Sequence, residues 1–267
     1  MANRSDRILA LWLLALTLAV PAEAVAKRQV LTVDIDGVER TALVYAPEHP
    51  GPGPLPLILV FHGRGDSNDK FAAAVKLHRD WPQAIVVYPQ GKTIDTAPPM
   101  RGWQYRLGTY QDRDLKLTDW LLAEIGRRYP TSPLLTFVAG FSNGGHFVFL
   151  LMAQRNDSFA AFTVIGAIQP EYAAATAPKP LLYLFGRGEH PDFHEDWIKT
   201  VQALARHNRT TAKPVAYLSC CQLLQPGPNG APLVYGRYNA GHIWPHRGNE
   251  WLMQFFAKPL VAEDGDE

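Results

Sequence analysis

Two kinds of apolar segment alternate along the middle of this chain. Continuous apolar runs such as "PLILVF" and "AIVVYP" are typical of strands buried on both faces. Segments of helical length lie between them, and in one of these Leu117, Trp120, Leu121 and Ile125 share a single helical stripe. Strands that alternate with helices predict an α/β fold, with a mostly parallel central sheet and helices on both faces. Ligands bind to such sheets at the carboxyl ends of the strands, so polar motifs that follow strands are the candidate functional residues.

The first residues read as a targeting segment rather than as part of the fold. Arg4 and Arg7 precede the apolar run "ILALWLLALTLAV", which small residues follow. The run is shorter than the ~20 residues that a bilayer span needs, although an uncleaved anchor is the alternative. We therefore expect a signal peptide at 1–26, one catalytic domain at 28–258 and an acidic flexible tail at 259–267. The expected location is secreted or periplasmic, without membrane association once the signal is removed.

Charge and cysteine content exclude some functions. The net charge is +1 and the basic residues are scattered, so we expect no nucleic-acid partner. The two cysteines, Cys220 and Cys221, are neighbours. A bridge between them would close almost no loop, so two thiols are expected and a vicinal disulfide is the alternative. The oligomeric state is left open.

The segment "GFSNGG" places Ser142 between glycines, after an apolar strand and before a helical segment. A hydroxyl needs to stand clear of the backbone and to have a base nearby before it can act as a nucleophile. Glycines at 140 and 144 permit the sharp turn that would raise Ser142 in this way. The same turn puts the backbone N–H of Asn143 at a helix start, where it can stabilise an oxyanion. A glycine turn with an incidental serine is the alternative.

A second loop offers the other oxyanion donor. The strand "LILVF" ends in "HGRG", where the backbone N–H of Arg64 is the expected donor. We expect His62 and Gly63 to border the substrate, and a plain turn is the alternative. Three aromatic residues, Trp103, Tyr105 and Trp244, are further candidates for substrate binding, although aromatic side chains more often belong to the core.

A base and an acid follow the last two predicted sheet strands. His242 in "YNAGHIWP" is the expected base, and Glu189 is the expected acid that orients it, with Asp192 as the alternative acid. The pair His190 and His194 resembles metal ligands at helical spacing, but Pro191 interrupts the helix between them, and no metal site is expected.

Several of these motifs, "LVFHGRGDS", "VVYPQG", "GWQYRLG", "GFSNGG" and "GHIWP" among them, resemble the secreted esterase group that contains polyhydroxybutyrate depolymerases and feruloyl esterases. The resemblance covers roughly residues 40 to 256. It implies an α/β-hydrolase fold and a serine esterase without cofactor, with Ser142 as nucleophile, His242 as base and Arg64 as an oxyanion donor. The chain departs from the group in carrying Glu189 where an aspartate is usual.

The expected reaction is hydrolysis of a small-molecule or oligomeric carboxylic ester through an acyl-serine intermediate. The ester would be of short-chain, aryl or feruloyl, or hydroxyalkanoate oligomer type. Two alternatives remain, because the same three side chains also serve serine peptidases of this fold, and because the unusual acid is compatible with a catalytically inactive hydrolase-like binding protein.

Overall fold

A computed structural model describes residues 26–168 and 176–257 of the chain. The predicted acidic tail and all but the last residue of the predicted signal peptide lie outside these residues. No helix within the described ranges has the length and apolar character needed to cross a membrane.

Most of the strands in the described residues join one sheet of ten strands. In chain order the strands are β1 (Ala26–Ile35), β2 (Val38–Pro47), β3 (Leu55–Phe61), β4 (Ile85–Pro89), β5 (Lys92–Ile94), β6 (Met100–Gly102), β7 (Thr131–Phe141), β8 (Ala161–Ile165), β9 (Leu181–Gly186), β10 (Thr210–Tyr217), β11 (Cys221–Pro226) and β12 (Leu233–Tyr238). The sheet order is β1-β2-β4-β3-β7-β8-β9-β12-β11-β10, while β5 pairs only with β6. The strands from β4 to β12 in that order are parallel, and the strands at both edges are antiparallel. The predicted α/β fold with a mostly parallel sheet is confirmed.

Helices cover both faces of this sheet. They are α1 (Asn68–Val75), α2 (Leu77–Asp80), α3 (Arg113–Arg128), α4 (Asn143–Gln154), α5 (Phe193–His207) and α6 (Gly248–Ala257). Alternate residues of β3 belong to two separate core clusters, since Leu57 and Leu59 pack with α3, α4 and α5 while Ile58 and Val60 pack with α1, α2 and α6. Successive side chains of a strand point to opposite faces of the sheet, so each central strand contributes to an apolar layer on both faces. This explains why the central strands are apolar throughout.

The segment "NDKFAAAVKLHRDW" forms two helices rather than the single one that its pattern predicts. Lys76 has a φ of 55°, and this left-handed residue ends α1 and precedes α2. Its backbone N–H bonds to Ala72, which closes α1 in the manner of a helix C-terminal cap.

The far edge of the sheet differs from the sequence expectation in two ways. The β10–β11 hairpin is not predicted, because its strand β10 is largely exposed and is interrupted by Pro214, which an edge strand tolerates. Cys220 and Cys221 form a vicinal disulfide, so the expectation of two thiols is wrong. Within a strand, adjacent side chains point to opposite faces and could not be bridged. Cys220 belongs to the turn before β11, where this alternation does not apply, so its sulfur can reach that of Cys221.

The parallel strands bring the predicted motifs to one edge of the sheet. The loops after β3, β7, β9 and β12 all leave from carboxyl ends, and β7 lies between β3 on one side and β8, β9 and β12 on the other. The residue after β7 is Ser142, which therefore stands between the loop of Arg64 and the loops of Glu189 and His242.

Candidate active site

Ser142 occupies a strained turn between β7 and α4. Its backbone has φ 54° and ψ −119°, a combination that few side-chain-bearing residues adopt. The neighbouring glycines make the turn possible by close packing. A Cβ on Gly140 would overlap the carbonyl oxygen of Gly144, and a Cβ on Gly144 would overlap that of Phe61. The turn is anchored by the Ser142 N–H, which donates to the carbonyl of Ile165 at 2.8 Å.

We expect Gly144→Ala to destabilise the fold, because the overlapping atoms belong to the backbone of the central strand β3 and cannot rotate aside. The expected loss in the free energy of unfolding is about 3 kcal/mol or more, measured by urea denaturation. Gly51→Ala is the matched control, since a Cβ there meets nothing within 4 Å. It should change stability by less than about 0.5 kcal/mol. Equal stability of the two variants would contradict the proposed packing of the turn.

His242 and Glu189 form a continuous hydrogen-bonded chain with Ser142. The Nε2 of His242 lies 2.7 Å from the Ser142 Oγ, and its Nδ1 lies 2.8 Å and 3.0 Å from the two carboxylate oxygens of Glu189. The Glu189 side chain is 6% exposed, whereas that of His242 is 47% exposed. The buried carboxylate of Glu189 therefore binds Nδ1 on the inner edge of the imidazole, and the opposite edge of the ring is exposed to the cleft. This arrangement can fix the Nδ1–H tautomer of His242 and leave Nε2 free to take a proton from Ser142.

Asp192, the alternative acid, does not join this chain. Its carboxylate lies 3.3 Å from the Nδ1 of His190, and its side chain is 83% exposed. It immediately precedes the first residue of α5, on the solvent side of the loop. The alternative is wrong, because the first carboxylate after β9 already turns inward to His242.

The two expected oxyanion donors flank Ser142. Within the described residues, neither the N–H of Arg64 nor that of Asn143 donates to an acceptor. Asn143 is the first residue of α4, where a helix leaves its N–H groups unpaired and favours negative charge. Gly63 brings the other loop close, since a Cβ at this residue would lie 3.4 Å from the Ser142 Cβ. Arg64, Ser142 and Asn143 line the same cavity, so both expected donors lie beside the hydroxyl.

Three of the expected substrate-binding residues are buried instead. Trp103 is fully buried between Phe61 and Phe147, with ring centroids at 4.9 Å and 5.8 Å. His62 is also fully buried, and the backbone of Gly63 packs beneath Ser142. The expectation that these three border the substrate is wrong, because the chain after β3 and after β6 passes under the turn of Ser142 rather than over it.

Trp244 does not reach the cleft either. Its ring packs edge-on against Phe71 at 5.5 Å, and its indole N–H donates to Asn249 at 3.1 Å. Of the aromatic candidates, Tyr105 is the one that lines a cavity beside Ser142, with 40% of its surface exposed.

Two cavities meet at Ser142. The larger, about 900 Å³, contains His242 and Glu189 and is bordered on its outer side by α5. The smaller, about 340 Å³, lies on the side away from His242 and has two tyrosines in its wall, Tyr105 and Tyr110. Ser142, Arg64 and His146 line both. Several residues of α5 border the large cavity, Phe193 and Lys199 among them. Sequence analysis does not identify them as site residues, because their one relevant feature is that they follow β9.

His146 separates the two cavities as a neutral imidazole. Burial lowers its pKa, and the nearby charges of His242 and Arg64 act in the same direction. Its Nδ1–H donates to the carbonyl of Ser142, one helical turn earlier, at 3.1 Å. His146 therefore adds no charge to the wall between the cavities at neutral pH.

Comparison with known proteins gives one family and a set of similar folds. A family model described as putative esterase matches residues 35–222. No curated protein matches the chain.

Solved structures share the architecture at low sequence identity. An acetyl xylan esterase from Aspergillus awamori is 14% identical, with a TM-score of 0.67 over 86% of this chain and 99% of that chain. A ferulic acid esterase is 14% identical, with a TM-score of 0.63 over 89% and 100%. An S-formylglutathione hydrolase from Staphylococcus aureus is 14% identical, with a TM-score of 0.61 over 89% and 99%. At this identity the likeness establishes the α/β-hydrolase fold.

Proposed function

The chain belongs to the putative esterase family, and on that premise we propose that it hydrolyses carboxylic esters through an acyl-enzyme formed on Ser142. The observation that carries the proposal is the unbroken hydrogen-bonded chain from Glu189 through His242 to the Ser142 Oγ. A serine on a strained turn with a base at 2.7 Å is what nucleophilic catalysis by a hydroxyl requires.

In the proposed reaction His242 takes the proton of Ser142 while the Oγ attacks the ester carbonyl. Glu189 accepts the Nδ1–H of His242 throughout and stabilises the imidazolium that forms. His242 then donates its proton to the leaving alkoxide, and the acyl group remains on Ser142. Water, activated by the same imidazole, repeats the steps and releases the acid.

The carbonyl oxygen becomes negatively charged during each attack. The N–H groups of Arg64 and Asn143, which have no acceptor within the described residues, are the proposed donors to it. The N-terminus of α4 adds the positive end of its dipole. Loss of one such donor typically costs 10²- to 10³-fold in kcat.

The two cavities divide the substrate between them. The leaving oxygen must come within hydrogen-bond reach of His242, so the alcohol part of the ester lies in the cavity that contains His242, of about 900 Å³. The acyl part then extends to the other side, into the cavity of about 340 Å³ walled by Tyr105 and Tyr110. The proposed substrates therefore combine a short or aryl acyl group, such as a feruloyl group, with a larger alcohol. A ferulic acid esterase is among the structures of similar fold, in keeping with this class.

An ester panel tests this division. With p-nitrophenol as the constant alcohol, kcat/KM should fall at least about 10-fold from butyryl to palmitoyl esters, because a palmitoyl chain, unlike a feruloyl group, is too large for the cavity of about 340 Å³. Tyr105→Ala should reduce that fall, since it widens the acyl side. Phe193→Ala is the matched control on the alcohol side: it should change the response to the size of the alcohol in a series of acetate esters, and leave the acyl-length profile as it is.

The same assays distinguish an esterase from the two alternatives, a serine peptidase and a catalytically inactive binding protein. Amino acid p-nitroanilides, assayed beside p-nitrophenyl acetate, should be cleaved at least about 10²-fold more slowly. Faster cleavage of the anilides would identify a peptidase, and no turnover of any ester would identify a binding protein. A Tyr105→Ala profile identical to that of the wild type would contradict the assignment of the acyl side.

We also propose that the catalytic domain, residues 28–258, acts outside the cytoplasm after removal of the signal peptide at 1–26. The support is the pattern of the first residues, in which Arg4 and Arg7 precede a short apolar run that small residues follow. Intact mass spectrometry of the protein from a secreting host tests it. A mature chain beginning between residues 25 and 27 is expected, and a full-length chain recovered from the membrane would contradict it.

A further inference from the structure

Two fully buried side chains lie directly beneath the proposed oxyanion donors. We propose that His62 and Trp103 are positioning residues that aim the backbone N–H groups of Arg64 and Asn143 at the developing oxyanion. Neither side chain reaches the cleft, so each acts through its hydrogen bonds. The inference rests on the proposed esterase function and assigns the residues that prepare its oxyanion site.

The ring of His62 has a defined tautomer. Its Nε2 lies 3.0 Å from the backbone N–H of Gly91, which can only donate, so Nε2 is the acceptor. The ring proton is therefore on Nδ1, which donates to the carbonyl of Gly63 at 2.7 Å. Burial lowers the pKa of His62, so the ring stays neutral and keeps this single N–H at the pH values of an esterase assay.

The carbonyl of Gly63 and the N–H of Arg64 belong to the same peptide unit. That unit is planar and trans, so its C=O and N–H point in opposite directions and rotate together. By holding the Gly63 oxygen on the buried side, His62 holds the Arg64 N–H toward the cleft. A hydrogen bond accepted by the carbonyl also polarises the peptide and strengthens its N–H as a donor.

Trp103 connects both oxyanion loops. Its indole N–H donates to the carbonyl of His62 at 2.9 Å, which fixes the peptide just before Gly63. Its backbone N–H donates to the Oδ1 of Asn143 at 2.7 Å, and the Nδ2 of Asn143 donates back to the Trp103 carbonyl at 3.1 Å. Asn143 is thus held at two points through its side chain, while its own backbone N–H has no acceptor within the described residues.

This pair of contacts is itself fixed to the core. The backbone N–H of Gln104 donates to the Oδ2 of Asp114 at 2.8 Å, and the Oδ1 of Asp114 pairs with Arg40 at 2.7 Å. Both side chains of that ion pair are fully buried, so its geometry is set by the surrounding protein. The strand-to-loop segment that carries Trp103 therefore cannot shift independently of β2 and α3.

A role in packing alone would need only the ring. Trp103 stacks on Phe147 and packs edge-on against Phe61, and Trp103→Phe preserves an aromatic side chain there while removing the donor to His62. At His62 the two polar contacts can be separated. Asparagine carries its amide near the position of Nδ1, so it can still donate to the carbonyl of Gly63. Glutamine carries its amide near the position of Nε2, so it can accept from the N–H of Gly91 but does not reach the Gly63 carbonyl.

The experiment measures kcat and KM for p-nitrophenyl acetate and the Ki of phenylboronic acid, which forms an anionic tetrahedral adduct with a serine. Trp103→Phe and His62→Gln should each lower kcat about 10- to 100-fold, raise the Ki by a similar factor and leave KM within about threefold. His62→Asn should stay within about threefold of the wild type in kcat and Ki. Phe159→Leu, a buried residue of the same core at the opposite end of α4, is the control: it should lower Tm without changing kcat or Ki.

The outcomes separate two failures. If the wild type hydrolyses esters and Trp103→Phe keeps the wild-type kcat and Ki, the positioning role is overturned and the esterase stands. Equal losses in His62→Asn and His62→Gln would likewise overturn the role of His62. If the wild type neither hydrolyses esters nor binds the boronic acid, the proposed function falls and the positioning role falls with it. Should His62→Asn fail to fold, as judged by Tm, Trp103→Phe decides the question.

Discussion

Ser142→Ala is expected to lower kcat for ester hydrolysis by at least about 10⁴-fold, because no other atom can form the acyl intermediate. KM should change little, since the cavities and the oxyanion donors remain. The fold should also persist, because alanine is no more strained than serine at a φ of 54° and loses only the contact with His242. The measurement is steady-state hydrolysis of p-nitrophenyl acetate, with Tm as the check on folding.

Ser219→Ala is the matched control for this variant. Ser219 is an exposed serine in the turn between β10 and β11, where its hydroxyl accepts from Arg247 at 2.7 Å. Its loss should leave kcat unchanged. A Ser142→Ala protein that keeps more than about a tenth of the wild-type kcat would contradict the assignment of Ser142 as nucleophile.

Glu189→Gln is expected to have an effect of similar size, a fall of about 10⁴-fold in kcat. The Glu189 carboxylate only accepts, and it holds the proton of His242 on Nδ1. An amide at the same place can donate to Nδ1 and so favour the opposite tautomer, whose Nε2–H cannot take the proton of Ser142. Glu189→Asp should lose less, because the charge remains although the shorter side chain reaches less far.

Asp192→Asn provides the comparison, because it removes a charge from the same loop without touching His242. Its kcat should lie within about twofold of the wild type. A larger loss in Asp192→Asn than in Glu189→Gln would mean that the loop rearranges in solution and that the other carboxylate orients the base.

The parts of the site that could be predicted from the sequence are those whose position follows from the order of the strands and loops along the chain. In a parallel sheet every strand delivers its following loop to the same edge, so Ser142, Glu189 and His242 could be brought together from the strand pattern alone. Glu189 followed from being the first carboxylate after β9. Its near-complete burial, which separates it from Asp192, depends on how the loops pack and has no sequence signal.

The parts that could not be predicted depend on which way a loop folds. His62, Gly63 and Trp103 follow strands, and the sequence alone does not say whether such residues cover the site or support it. In the structure they lie beneath Ser142, where the side chain of Asn143 also finds its partners. The edge hairpin was missed for a different reason, because exposed strands interrupted by proline lack the apolar period that marks a strand.

The most direct test of the proposed acyl-enzyme mechanism is to locate a covalent adduct on the protein. The wild-type protein is treated with a fluorophosphonate, which reacts with activated serines, and the labelled peptide is identified by mass spectrometry. We predict a single adduct on Ser142, absent from Ser142→Ala and formed at least about 10²-fold more slowly by Glu189→Gln. Labelling at another residue, or ester hydrolysis by an unlabelled wild type, would contradict the claim that this esterase works through an acyl-enzyme on Ser142.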